Sequence, residues 1–357
     1  MVTLTGMQAA SFRMSNQQIT GTGFGRPGEL VRWMGCIQAQ DYSMAKWALG
    51  CRLSAATDSL VEAAFNAGEI LRTHVLRPTW HFVHPADIRW MLALSAPRIR
   101  VLSAPYHLKL GIDQAVLRKS RKAIAGAFAQ RRRLTRDELV EVLGQKKVAV
   151  DDGRAGLLLM DAELDALICS AGRVGKKFAY QLLDHVTPTA PVLDREEALG
   201  ELARRYFSSR GPASLADFAW WGGLTTGEAR VAQEQISSLL QPADVRGKEY
   251  WFVAAAPSTC TDAVLLPAFD EFAVGYKDRR DVLDPHLAKE CNSGLRPVVV
   301  YRGQIVGTWH PAMGKKKKAA PEIKLFPRAK ASRALAVAVK RYENFLGCVY
   351  QGGTLNV

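Results

Sequence analysis

Cysteine is scarce and scattered in this sequence. The six are Cys36, Cys51, Cys169, Cys260, Cys291 and Cys348, and no two stand in a C-x-x-C pair. That excludes a disulfide framework and a cysteine-based zinc site, and it fits a reducing cytoplasm. Long apolar runs are missing too. None reaches the ~20 residues needed to span a bilayer. Met1–Ala10 has neither the basic start nor the apolar core of a secretory signal, so neither a membrane anchor nor export is expected. Histidines are badly placed for a metal. His81 and His84 straddle an expected strand end and Pro85, where a spacing of three turns them to opposite faces. Gly21-Thr22-Gly23-Phe24-Gly25 precedes a helix but lacks the strand, length and lysine of a phosphate-cradling loop, and it reads as a flexible connection. No metal and no cofactor are therefore expected.

Acidic residues are the last shortage. Asp and Glu total 34 against 48 Lys and Arg, a net charge of +14 with a pI near 9.6. Net charge reports on partners rather than on fold. Membrane-surface binders concentrate charge on one amphipathic helix beside bulky apolar residues. Here the basic residues run along the whole chain: Arg98 and Arg100, Arg131 to Arg133, Lys176 and Lys177, Lys277 to Arg280, Lys315 to Lys318. That spread suits a long polyphosphate, so the expected partner is nucleic acid, duplex DNA above all. With 357 residues, 48% of them apolar, the chain has room for about two to four folded modules.

One local grammar recurs three times: two or three short helices, then a β-ribbon. In the first instance Pro27 opens a helix running towards Gln38. A second helix covers Met44–Leu53, and a third starts at Thr57 as N-cap with Leu60, Ala63, Ala64 and Ala67 on one face. Extended runs follow at Ile70–Val75 and Thr79–Val83, parted by Leu76-Arg77-Pro78. The second instance begins near Asp113. It contains a capping box at Thr135–Glu138 and a long helix over Arg154–Ser170, then a break at Gly172 and extended chain over Val174–Leu182. The third spans Asp194 to Val253, with helix starts at Ser214 and Thr225 and a hairpin turning at Arg246-Gly247-Lys248. Helix–helix–helix–ribbon is the winged-helix plan, a helix-turn-helix variant. Beyond it, Leu265–Phe269, Arg296–Tyr301, Gln304–Trp309 and Ile323–Phe326 read as strands, with a turn at Arg302-Gly303. A terminal helix over Ala329–Leu346 carries Leu335, Val339, Tyr342 and Leu346 on one face. The expected fold is α+β: winged helices over 1–105, 106–190 and 191–260, and a small β domain over 261–357.

The segment Cys36-Ile37-Gln38-Ala39-Gln40-Asp41-Tyr42 places two amides and a carboxylate at an expected helix end, beside an apolar stretch. Gln38 and Gln40 read either as solvated capping groups or as paired amides projecting into a cleft. Gln38-Ala39-Gln40, Leu76 to Asp87, Leu265-Leu266-Pro267-Ala268-Phe269-Asp270-Glu271-Phe272 and Val306-Gly307-Thr308-Trp309 together resemble the AlkZ/YcaQ-like bacterial DNA glycosylases, a winged-helix DNA-binding family. The resemblance covers nearly the whole chain. It implies three tandem winged helices in a C-shaped clamp with a C-terminal β domain. It also implies hydrolysis of the N-glycosidic bond of alkylated purines, some relatives acting on interstrand crosslinks. The family's catalytic pair is glutamine, an apolar residue, then glutamine or aspartate, which falls on Gln38 and Gln40.

An N7-alkylated purine is already cationic and departs as a neutral base, so no acid is needed to protonate it. What remains is to place a water beside the sugar cation. Two amides offer acceptors and donors in fixed directions without ionising. Asp41 is either a helix-end carboxylate or an electrostatic partner for that cation. By resemblance, the stretch from Gly275 to about Arg296 corresponds to a DNA-probing hairpin, with Lys277, Arg279 and Arg280 meeting phosphates and His286 able to enter a groove. Lys315, Lys316, Lys317 and Lys318 form either a solvated or a phosphate-contacting loop. Trp80 and Trp309 read as core, and Trp220 and Trp221 as helix-packing residues. The expected protein is a cytoplasmic, nucleoid-associated, cofactor-free monomer acting on duplex DNA with alkylated bases. The alternative is a winged-helix transcriptional regulator, or a structural DNA-binding protein, without activity.

Overall fold

A computed structural model of the chain describes residues 1–21, 23–151, 153–189, 193–253, 256–257, 263–311, 321–327, 329 and 332–347. The fold is mixed α and β, and the chain packs as two compact units: Met1–Val61 with Gly200–Val357, and Glu62–Leu199. Among the described residues no helix is long and apolar enough to cross a membrane.

In the unit Glu62–Leu199, strands Leu71–His74 and Trp80–Val83 form an antiparallel hairpin with Leu71 opposite Val83 and His74 opposite Trp80. Helices Gln114–Ala127, Arg136–Gln145 and Arg154–Leu164 precede a second hairpin, Ile168–Val174 with Lys177–Leu182. The Thr135 hydroxyl accepts from the Glu138 N–H while the Glu138 side chain accepts from the Thr135 N–H, the expected capping box. Leu117, Ile124, Leu139, Leu143, Leu158 and Ile168 fill one core beneath these elements.

Three local expectations are corrected. The helix from Arg154 stops at Leu164 rather than Ser170, because Ala166 turns left-handed (φ 54°) and Ile168 enters a strand. Gly172 (φ 83°) does not break the chain. It sits in a bulge of that strand, between paired Ser170 and Arg173. In helix Asp58–Asn66, opened by Thr57 as expected, the buried stripe is Val61, Ala64 and Phe65, while Leu60, Ala63 and Ala67 face solvent. The stripe is the same helical pattern rotated by one residue. An unexpected element also appears, the helix Ile88–Lys109 with Pro97 and Pro105 inside it.

In the other unit, strand Val2–Leu4 runs parallel to Leu240–Val245, which pairs antiparallel with Lys248–Val253. Arg246 and Gly247 both take positive φ, the turn that matches hairpin twist. Helix Gly6–Asn16 starts from its own capping box, Thr5 with Gln8. Helices Leu215–Gly222 and Thr226–Gln235 start from the boxes expected at Ser214 and Thr225. Strands Ala263–Leu266, Val298–Tyr301, Gln304–His310 and Glu322–Leu325 make an antiparallel sheet in that order. Helix Ser332–Phe345 buries Leu335, Val339, Tyr342 and Phe345; Leu346 lies past its end and is exposed. Trp309 is fully buried, its indole N–H donating to the Leu266 carbonyl at 2.7 Å, so it is core as expected. Trp221 is buried as expected, but Trp220 is 48% exposed and turns largely to solvent.

Candidate active site

The two glutamines do not stand at a helix end. Helix Pro27–Met34 terminates at Gly35, whose φ of 75° with ψ of −61° favours glycine, and the chain then enters strand Cys36–Gln38. Gln38 is half-buried, Ala39 fully buried and Gln40 exposed. Neither amide is sealed in an apolar interior, and the buried methyl of Ala39 anchors the segment between them. Asp41 is the N-cap of helix Tyr42–Gly50: its Oδ1 accepts from the Met44 N–H at 3.1 Å and the Ser43 hydroxyl at 2.8 Å. Its carboxylate has a structural task, the helix-end role.

Charge holds the strand from beneath. Glu271, fully buried, accepts the Gln38 backbone N–H on Oε1 at 2.9 Å. Its Oε2 accepts from Arg210 Nη2 at 2.7 Å, from Arg210 Nε at 3.1 Å and from the Trp221 indole at 3.0 Å. Arg210, equally buried, donates to the carbonyls of Met34 at 2.6 Å and Cys36 at 2.9 Å, and its guanidinium lies 4.3 Å from the Trp221 ring. Beside Glu271, Asp270 pairs with fully buried Arg52. A third buried arginine, Arg13, pairs with Asp281 at 3.2 Å and lies 3.9 Å from the Tyr276 ring. Sequence reasoning singled out none of these arginines. Asp270 and Glu271 entered only as letters of a familiar segment.

Four of the expected DNA-contacting residues, Lys277, Arg279, Arg280 and His286, follow helix Glu271–Val274. Lys277 is exposed, and its backbone N–H is fixed by Asp217 at 2.9 Å. Arg279 is half-buried and donates Nε to the Ala273 carbonyl at 2.8 Å. Arg280 is exposed but engaged by Asp278, which also accepts Lys248 Nζ at 3.0 Å. Hydrogen bonds from Arg280, and then Lys248, hold the Asp278 carboxyl well below its usual range. His286 is exposed on the short turn Pro285–Leu287. Lys315 to Lys318 lie outside the described residues. Trp80 is only half-buried, with the Arg72 guanidinium 4.1 Å from its ring.

A family model, DNA glycosylase AlkZ-like, matches residues 31–345. The interstrand DNA cross-link repair glycosylase of Streptomyces sahachiroi is 23% identical over 325 residues, covering 85% of this chain and 86% of that protein. The structure of Streptomyces sahachiroi DNA glycosylase AlkZ superposes with a TM-score of 0.81 at 21% identity, covering 97% of this chain and 98% of the other, so the fold is shared. The chain belongs to the AlkZ-like DNA glycosylase family and is a DNA glycosylase.

Proposed function

We propose that this glycosylase hydrolyses the N-glycosidic bond of cationic N7-alkylated purines in duplex DNA, with Gln38 and Gln40 as its catalytic pair. The observation that carries the reading is the pair itself: two accessible amides flanking buried Ala39, one on and one just past a strand held by buried charge. Each amide oxygen accepts from a water and each amide nitrogen donates, so the two hold one water from fixed directions beside C1′. The substrate brings its own positive charge, and the base leaves neutral. Asp41 caps its helix and serves the reaction only by shaping the segment. Lys277, Arg279, Arg280, His286 and Lys315 to Lys318 are assigned to the DNA backbone and groove. The name of the Streptomyces relative brings interstrand crosslinks into the substrate range.

In the same reading the chain holds three winged helices, over 1–105, 106–190 and 191–260, and a β domain over 261–357. They clamp duplex DNA as a monomer. The recurring helix-then-hairpin order, as in Arg195–Arg210, Leu215–Gly222, Thr226–Gln235 and the hairpin Leu240–Val253, supports it. The test is base release from DNA containing N7-methylguanine. Purified Gln38→Ala, Gln40→Ala protein should lose about 100- to 1000-fold in rate or more, the usual cost of a positioned polar group. Release at the wild-type rate would remove the assignment.

A further inference from the structure

The backbone of the glutamine strand is gripped by a buried ion pair. Phe269 takes a left-handed conformation, φ 57°, which is costly for a bulky side chain and which persists only where the surroundings impose it. Past this bend Asp270 caps the short helix Glu271–Val274 through the Phe272 N–H at 2.8 Å, and Glu271 is delivered beneath the strand. There the pair touches three backbone atoms of one segment: Glu271 takes the Gln38 N–H, and Arg210 gives to the Met34 and Cys36 carbonyls. Burying two charges is costly, and a buried ion pair is by itself weak evidence of a contribution to stability. What the ion pair adds is register. A slip of one residue would put Ile37 and Ala39 where Gln38 and Gln40 stand, and a charge-assisted bond to one chosen N–H opposes that slip.

We propose that Glu271 and Arg210 are positioning residues of the glycosylase reaction. They fix Gln38 through its main chain, and neither touches DNA. The inference rests on the glutamine assignment, and its test separates the two.

Glu271→Gln and Glu271→Asp are each made in the wild-type and the Gln38→Ala backgrounds. The aspartate keeps Arg210 paired but withdraws the carboxylate from the Gln38 N–H, so it carries the test if the glutamine variant fails to fold. Single-turnover base release from N7-methylguanine DNA is measured with enzyme saturating, and duplex affinity by fluorescence anisotropy. In the wild-type background the rate should fall about 10- to 100-fold, the same order as for residues that orient a metal ligand from behind. Affinity for DNA should stay within about two-fold, and in the Gln38→Ala background the further rate loss should also be within about two-fold, because the two sites act as one. An equal loss in both backgrounds, or a matching loss of DNA affinity, overturns the positioning role and leaves a merely structural one. Gln38→Ala at the wild-type rate overturns the glutamine assignment itself, and the positioning role with it.

Discussion

Arg52 meets Asp270 through two parallel bonds, Nη1 to Oδ2 at 2.8 Å and Nη2 to Oδ1 at 2.7 Å, with both side chains cut off from solvent. The same two nitrogens of Arg52 are engaged elsewhere as well: the Ala48 carbonyl accepts from Nη1 at 3.0 Å and Gln17 Oε1 from Nη2 at 3.1 Å. Asp270 and Glu271, adjacent in sequence, thus serve two different arginines that approach from distant parts of the chain. Removing one member leaves an uncompensated buried charge. Arg52→Met should lower the unfolding free energy by about 3–5 kcal/mol. Adding Asp270→Leu should restore part of that loss. Urea unfolding of the two variants checks this, and a double variant less stable than the single one would contradict it.

A reaction run by amides has no titrating catalyst. Under the proposed mechanism the single-turnover rate on N7-methylguanine DNA should stay level from about pH 5.5 to 8.5, without the bell shape that an essential acid and base produce. A tenfold slope across that window would point to a carboxylate or histidine in the chemistry. Asp41→Asn offers the companion measurement. As an N-cap replaced by another good N-cap, it should cost only a few tenths of a kcal/mol in stability and leave the rate nearly unchanged.

Asp278 restrains two cations that the DNA-binding reading needs, Arg280 and Lys248. Asp278→Asn should release both. Binding to undamaged duplex should tighten, and the slope of log affinity against log salt should steepen by about one for each additional phosphate neutralised. Lys277→Ala should move the slope the other way by a similar amount. Anisotropy titrations over a salt series read both, and a slope unmoved in both variants would mean that this loop does not meet phosphate.

The Glu138 carboxyl is lowered from the ordinary value of 4.5 to about 2, first by the Thr135 backbone N–H, then by the side chains of Arg131 and Thr135. Its folded value lies below its unfolded one. The stabilisation is therefore complete above about pH 4.5 and lost as the pH falls through about 2. The side chain is 36% exposed, so solvent screening limits the cost of Glu138→Gln to about 1 kcal/mol at pH 7. That difference should shrink between pH 4.5 and 2. A difference independent of pH in urea unfolding would rule out the charged cap as its source.

The parts legible in the sequence were those written within a few residues. The capping boxes at Thr135, Ser214 and Thr225 each need only a residue and its third neighbour, and all three stand where expected. So do the hairpin turns at Leu76-Arg77-Pro78, Arg246-Gly247 and Arg302-Gly303, whereas the hairpin over 168–182 lay partly under an expected helix. Helix Ile88–Lys109 was not anticipated, and it holds Pro97 and Pro105, residues that ordinarily interrupt a helix. Burial of Trp90, Met91, Leu92, Leu94 and Ile99 outweighs two missing amide donors there. The glutamines were visible as a pair, but not the charges behind them: Arg210 stands 61 residues from Glu271, and Glu271 stands 233 from Gln38. No local pattern links residues so far apart. Composition hid the buried arginines too, since Arg13, Arg52 and Arg210 are each matched by an acid. Those pairs are neutral, so the excess of basic charge is carried by the other residues. Gly307, noticed only as part of a familiar segment, has a steric reason: a Cβ there would lie 2.5 Å from the Lys324 carbonyl on the neighbouring strand.

Val2–Leu4 lies along Leu240–Val245, with Val2 beside Ala243 and Leu4 beside Val245. The first residues of the chain therefore cover the flank of a hairpin some 240 positions away. Trimming them would uncover a row of amides and carbonyls with nothing to bond, and such a row recruits strands from other molecules. A shortened protein would be expected to self-associate while keeping the strand Cys36–Gln38 intact, so loss of activity in that form would report aggregation rather than chemistry.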